Sequence, residues 1–198
     1  MILHLGIIVE GFGDVAAVPV LVRRLCGQGF PSLDLQIRKP YRATRYGLVR
    51  PGQLENVLQV VAGKLAPPRA ILVLLDADDD CPAELGPDLA RRAAAARPDV
   101  AVGVVLAKRE FEAWFLAAIE SLSGHRGLRP GLAPVDQPES IRDAKGALQR
   151  CMEPGRTYSE RLDQPALAGV FEIQLARRSD SFDKCCREVQ GLFQRVVG

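Results

Sequence analysis

The 198-residue chain is 47% hydrophobic, 25% charged and only 6% aromatic, which fits one globular domain with a few added elements. Its 26 Lys and Arg against 24 Asp and Glu leave a net charge of +2, so the overall balance demands neither nucleic acid, a membrane surface nor an acidic substrate. No apolar run approaches the ~20 residues of a membrane span, and the start, Met-Ile-Leu-His-Leu-Gly, lacks the basic segment and cleavage site of a signal peptide. A soluble cytoplasmic protein is the expectation. Five cysteines, Cys26, Cys81, Cys151, Cys185 and Cys186, include no CxxC pair and read as reduced thiols. With only His4 and His125 present, a histidine-rich metal site is excluded.

Residues Ile2 to Val9 form an almost wholly apolar run ended by Glu10-Gly11, the pattern of a strand covered on both faces. Asp14 is placed to cap a helix running to about Leu25, with Val18, Leu21, Val22 and Leu25 inward and Pro19 in its first turns. Leu33, Leu35 and Ile37 alternate with Asp34 and Gln36, which predicts a half-buried second strand nearer a sheet edge. After an irregular stretch, Leu54, Val57, Leu58, Val61 and Leu65 recur at helical spacing until Pro67-Pro68. Ala70 to Leu75 predicts a buried third strand that runs into Asp76-Ala77-Asp78-Asp79-Asp80. A helix to Ala96 and a fourth strand from Val100 to Leu106 follow. This alternation predicts an α/β fold, a doubly wound, mainly parallel sheet with helices on both faces.

A helix is predicted from about Arg109 to Leu122, with Phe111, Trp114, Phe115, Ala118, Ile119 and Leu122 as a core-packing stripe. Gly124 to Gln137, with two prolines and three glycines, reads as a connector. Glu139 to Cys151, Tyr158 to Arg177 and Ser181 to Val197 read as helices. The chain thus divides into an α/β domain over 1–123 and a C-terminal helical extension over 138–198, packed together as a single unit.

In an open parallel sheet the working site lies outside the carboxyl ends of the strands. Glu10 closes the first strand here, and Asp76 and Asp78 close the third; in an extended chain the intervening Ala77 leaves the two aspartates facing the same way. Three carboxylates are therefore expected at one edge. Such a cluster is stable only if protons or a hard cation neutralise it, and oxygen-only ligands select Mg²⁺, Mn²⁺ or Ca²⁺. Asp79 and Asp80 fit the turn and the following helix N-terminus. Between Leu35 and Leu54 there is no acid, while Arg38, Lys39, Arg42, Arg45 and Arg50 alternate with Tyr41 and Tyr46, the composition of a nucleic-acid groove or of a solvated loop.

Ile7-Ile8-Val9-Glu10-Gly11-x-x-Asp14 and Leu74-Leu75-Asp76-x-Asp78, each at a strand end, resemble a TOPRIM domain, the metal-dependent fold of topoisomerases, bacterial primases and overcoming-lysogenization-defect (OLD) nucleases. Gly11-Phe12-Gly13-Asp14, Lys108-Arg109-Glu110-Phe111-Glu112-Ala113-Trp114-Phe115 and Ser181-Phe182 further resemble a bacterial TOPRIM-related family of unassigned function. The resemblance implies that Glu10 is a general acid/base or metal ligand, that Asp76 and Asp78 hold Mg²⁺ or Mn²⁺, and that Asp14 is a further ligand. Glu110 or Glu112 would complete a second metal site; the two lie about 200° apart on a helix, and Glu110 is favoured because Glu112 neighbours the Phe111–Phe115 packing face. Arg38, Lys39, Arg42, Arg45 and Lys108 would bind nucleic acid, with Arg142 and Lys145 in reach of the same groove.

The implied activity is metal-assisted cleavage of phosphodiester bonds in DNA or RNA. The chain has no topoisomerase tyrosine domain, primase zinc motif or ATPase segment, so the resemblance to OLD-type nucleases implies a separately encoded ATPase partner and, by analogy, a role in phage defence. A second reading is a non-catalytic TOPRIM-like protein that binds nucleic acid or an ATPase partner. Gly11-x-Gly13-x-x-Ala16 also matches a dinucleotide fingerprint, with Arg38-Lys39 to receive a 2′-phosphate, but Glu10 and Asp14 set negative charge beside the pyrophosphate. A phosphoacceptor receiver domain suits the Asp ending the third strand, but not Glu10 or the helical tail. Ser-His-Asp chemistry fails, because no Ser sits in a nucleophile elbow.

Overall fold

The computed structural model describes residues 1–197. β1 (Ile2–Val9) runs through a five-stranded sheet. On one flank it pairs first with β2 (Asp34–Ile37), along Ile2 to Leu5, and then with β3 (Tyr41–Arg42), along Ile8 and Val9. On the other flank lies β4 (Arg69–Asp76), followed by β5 (Ala101–Ala107). Every pairing is parallel and the main order is β2-β1-β4-β5. This is the doubly wound α/β architecture that the alternation of apolar runs predicts.

Side chains alternate across a strand, so each buried strand feeds two cores. Leu3, Leu5, Ile7 and Val9 of β1 and Ala70, Leu72 and Leu74 of β4 enter one; Ile8, Ile71, Val73 and Leu75 enter the other. α1 (Asp14–Gly29) covers the first face with Ala17, Val18, Leu21, Val22 and Leu25, and α9 (Asp180–Val197) joins it with Phe182, Cys185, Val189, Leu192 and Phe193. α3 (Gln53–Ala62) and α4 (Pro82–Ala96) cover the second face through Leu54, Leu58, Val61, Leu89 and Ala93. Gly6 permits close approach there, since a Cβ at that position would lie 2.5 Å from Val61 Cγ1.

Shorter elements depart from the predicted pattern. The stretch between β2 and α3 holds β3 and α2 (Arg45–Val49), both too brief to show a period, with the Thr44 hydroxyl accepting from Gly47 N–H at the start of α2. The helix predicted over Arg109 to Leu122 is α5 (Glu112–Ala117) followed by a tighter turn at Ile119–Leu122. Beyond it the predicted long helices are broken into a single turn at Pro138–Ser140, α6 (Ala144–Arg150), α7 (Asp163–Val170) and α8 (Ile173–Ala176). Local capping explains the breaks: Asp143 accepts from Gly146 N–H and Glu172 from Gln174 N–H, each starting a new helix where periodicity alone continues the old one.

The C-terminal segments share the first core. Leu128, Leu148, Met152, Leu167, Phe171 and Phe182 lie in the same cluster as β1 and α1. Arg24 of α1 donates to Ala168 O and Phe171 O, both at 2.8 Å. Among the described residues no helix is long and apolar enough to cross a membrane.

Ser181 links this packing to the end of β5: its hydroxyl accepts from Trp114 Nε1–H at 2.8 Å and from Lys108 N–H at 3.1 Å. Ser181→Ala leaves the buried Trp114 donor unpaired and removes the partner of the Lys108 N–H, and urea denaturation should show stability reduced by about 1–3 kcal/mol.

Candidate functional site

The chain leaves β1 toward one flank of the sheet and leaves β4 toward the other, so the two adjacent strands diverge at their carboxyl ends and open a crevice. Val9 lies opposite Leu74, which brings Glu10 and Asp76 to the same edge within two residues of register. The β1–α1 loop, the segment before α5 and the entry to α7 then close around this crevice.

Four carboxyl groups gather there. Asp76 Oδ1 accepts from Phe111 N–H at 2.9 Å. Asp14 is 3% exposed and accepts from Gly11 N–H at 2.8 Å and from Gln164 Nε2–H at 2.7 Å. Glu112 is buried and accepts from the Tyr158 hydroxyl at 3.1 Å. Glu10 Oε1 accepts from Arg45 N–H at 3.0 Å, while its Oε2 is buried with no partner.

Burial is the first cause of every shift in this group. It holds the Asp76 carboxyl well above its ordinary value, and the charges of Asp14, Glu112 and Glu10 push it further. Burial likewise raises Asp14 against its hydrogen bonds to Gly11 and Gln164. Glu10 is raised by burial, with Asp78 and Asp14 adding to the effect and the Arg45 N–H opposing it. Glu112 is pushed up to about 7 by burial. Burial also raises the Tyr158 hydroxyl, so it stays a neutral donor to Glu112.

The remaining predicted site residues are distributed differently. Ala77 N–H bonds Ala107 O and the chain then turns, with Asp78 at φ +48°, so the extended Asp-x-Asp geometry is not formed. Asp78 instead faces solvent and pairs with Arg45 Nη2 at 3.1 Å; Asp80 pairs with the other Arg45 nitrogen. Asp79 meets Arg109 and Arg142. Glu110 precedes α5 and accepts from Lys145 N–H at 2.8 Å, whereas Glu112, disfavoured on sequence, is the one buried beside Asp76. Lys145 pairs with Glu160. Lys108 is exposed on the rim of a cleft of about 650 Å³ lined by α4, β5 and α9. Arg38 and Lys39 line a separate cleft of about 550 Å³ with Lys64 and Tyr41 alongside the middle of β1, away from Arg42 and Arg45 at the carboxyl edge.

Two contributors carry no signal in the sequence. Gln164 and Tyr158 lie 150 and 46 positions from the acids they bond, and only packing of the C-terminal segments on α1 and α5 brings them in. Gly13 makes room for this approach: a Cβ there would lie 1.8 Å from Gln164 Oε1 and 2.7 Å from Glu160 O. Asp14 also occupies the Gly11 N–H that a dinucleotide pyrophosphate would need, which counts against that rival reading.

Among the described residues no group of three or more His, Cys, Asp and Glu side chains is arranged to hold a metal ion. The expected pocket built from Glu10, Asp14, Asp76, Asp78 and Glu110 is corrected to that extent: Asp78 turns to Arg45, Glu110 to Lys145, and both Asp14 oxygens are engaged. Mg²⁺ demands less than such a cage, because one or two carboxylates suffice when waters and substrate phosphates complete its octahedron. Glu10 and Asp76 fit that requirement in donor chemistry, in the unpartnered Oε2 and in excess negative charge.

A doubly wound α/β protein with buried acids at its strand-switch crevice is the class defined by this fold and edge. Residues 9–190 match the family described as domain of unknown function DUF4276, and the chain belongs to that family. No curated protein and no solved structure matches it.

The Glu112 shift fixes a pH dependence. Its folded value, about 7, lies above the ordinary 4.5, so the folded state retains a proton that the unfolded state releases in between. In metal-free buffer this contribution is complete below about pH 4.5 and is lost as the pH rises through about 7, on the order of 3 kcal/mol for this group. Glu112→Gln should flatten that decline in chemical denaturation measured across the window.

Proposed function

We propose that the protein is a Mg²⁺- or Mn²⁺-dependent phosphodiesterase acting on DNA or RNA, with its chemistry at the carboxyl ends of β1 and β4. The observation that carries this reading is the convergence of Glu10, Asp14, Asp76 and Glu112 at one crevice without enough cationic side chains to neutralise them. Burying like charges is unfavourable for folding alone, and a divalent cation is the partner their chemistry selects. The TOPRIM resemblance agrees for Glu10 and Asp76, but not for Asp78, which it pairs with Asp76 and which turns to Arg45.

Glu10 and Asp76 would hold the ion, which when bound supplies a water of lowered pKa and charge stabilisation for the leaving oxygen. Glu10 would face the ion through its unpartnered Oε2, and with the ion bound that carboxyl would stay deprotonated against the burial that raises its proton affinity. Asp14 keeps both oxygens on Gly11 and Gln164 and so positions the β1–α1 loop and α7. Arg42, at the same edge and without a carboxylate partner among the described residues, would neutralise phosphates, whereas the Arg45 guanidinium is already paired with Asp78 and Asp80.

A second reading is favoured by the lack of a three-acid metal group among the described residues: a non-catalytic TOPRIM-like protein that binds nucleic acid or a separately encoded ATPase. The two are separated by incubating purified protein with plasmid DNA and with structured RNA in Mg²⁺ or Mn²⁺. Cutting is expected from the wild type and not from Asp76→Asn or Glu10→Gln, with circular dichroism unchanged in both. Mn²⁺ should also raise the melting temperature of the wild type more than that of either variant. No cutting and no metal-dependent stabilisation would favour the binding protein.

A further inference from the structure

Phe12 sits at the tip of the β1–α1 loop and is 53% exposed, beside the carboxylate crevice rather than in either core. The loop is built to hold it there. Asp14 fixes Gly11 N–H, and a Cβ on Gly11 would lie 2.7 Å from Asp14 Oδ2. Gly13 is pressed against Glu160 O and Gln164. With both neighbours pinned, the ring stands out from the surface.

Two guanidinium groups from distant parts of the chain meet on that ring. The Arg42 Cζ lies 3.9 Å from the ring centroid and the Arg161 Cζ 4.7 Å. Arg42 arrives on β3, paired with the end of β1, and also donates to Glu10 O at 3.5 Å. Arg161 belongs to the segment leading into α7, which Gln164 ties to Asp14. Neither guanidinium has a carboxylate partner among the described residues, unlike Arg45, Arg109 and Arg142 nearby. The ring is held at the surface by two cation–π contacts whose charges no carboxylate among the described residues compensates.

The geometry points to a stacking subsite for an unpaired nucleobase: the base takes one face of Phe12 in place of the guanidinium that covers it, and Arg42 and Arg161 take the flanking phosphates as the strand enters the crevice. A base within a duplex is already stacked on both faces, so this subsite selects single strands, loops or frayed ends. The inference rests on the phosphodiesterase reading for where the strand leads and deepens it by naming the substrate class.

The test uses the full chain in EDTA, where no cutting occurs, and follows fluorescence anisotropy of labelled oligonucleotides of about 12 nucleotides, a length within the usual range for stacking grooves. Single-stranded DNA, single-stranded RNA and a duplex of the same length are compared, with circular dichroism on each variant. Single strands of at least one sugar type should bind more tightly than the duplex. Phe12→Ala should weaken that binding by about 5- to 100-fold, the range of one base–ring stack, with little change for the duplex. Phe12→Trp should retain or tighten it, and Arg161→Ala should weaken it and reduce its salt dependence. Equal affinity for single strand and duplex, no binding of either, or a Phe12→Ala protein that binds single strands within about twofold of wild type would overturn the inference. Phe12-dependent single-strand binding by a chain that never cuts in Mn²⁺ would leave the subsite standing and sink the phosphodiesterase. Cutting that ignores Phe12 would do the reverse.

Discussion

Mutual repulsion among acids at the seam between β1 and β4 is the constraint on which the rest of this molecule turns. Asp14, Asp76 and Glu112 are brought out of water together, with Glu10 beside them; burial raises the proton affinity of each, and the charges of Asp14, Glu112 and Glu10 raise that of Asp76 further. The protein tolerates this by giving each acid a directed donor: Gly11 N–H and Gln164 for Asp14, Phe111 N–H for Asp76, Tyr158 for Glu112 and Arg45 N–H for Glu10. All five donors are main-chain or neutral side-chain groups, and Arg45, whose N–H is one of them, turns its guanidinium to Asp78 and Asp80. Among the described residues no cationic side chain offsets Asp76 or Glu112 within the crevice, so they hold protons above the ordinary carboxylate range, and under the proposed function a divalent cation would take the place of those protons.

That arrangement makes the C-terminal segments part of the site. Gln164 and Tyr158 reach the acids from the region around α7, and Arg24 ties α7 to α1 from behind. The aromatic cluster of Phe111, Trp114, Phe115, Phe171 and Phe182, with ring centroids 4.8–5.5 Å apart, joins α5 to the same segments. Phe111 lies in that cluster while its own N–H holds Asp76, so aromatic packing and carboxylate position are mechanically one feature. The same packing decides between the two glutamates: α5 begins at Glu112, inside the buried layer, and Glu110 remains in the approach, bonded to Lys145.

The basic stretch after β2 is divided by the sheet rather than acting as one surface. β2 ends opposite Leu5 and β3 begins opposite Ile8, so Arg38 and Lys39 are left in the gap between them, where they line a cleft with Lys64. Arg42 and Arg45 lie past that gap at the carboxyl edge. Residues close in sequence thus face two different clefts, and those at the edge lie nearest the acids.

Much of the fold was legible in the chain because burial on two faces leaves an unmistakable record: the apolar runs Ile2–Val9 and Ala70–Leu75 can only be central strands, and the acids that end them must emerge at one edge of a parallel sheet. Elements of two to five residues, such as β3 and α2, left no such record because they complete no period. The direction in which each acid points was equally hidden. Whether Asp78 joins Asp76 depends on a single turn at Ala77–Asp80, and whether residue 110 or 112 enters the crevice depends on where α5 starts, both settled by contacts with distant parts of the chain. Local sequence determined which strands are buried and which residues close them, since hydrophobic periodicity is a property of neighbours. Only tertiary structure could supply Gln164, Tyr158 and Arg161, because hydrogen bonds and ring contacts between segments far apart in the chain exist only once the cores that carry them have packed.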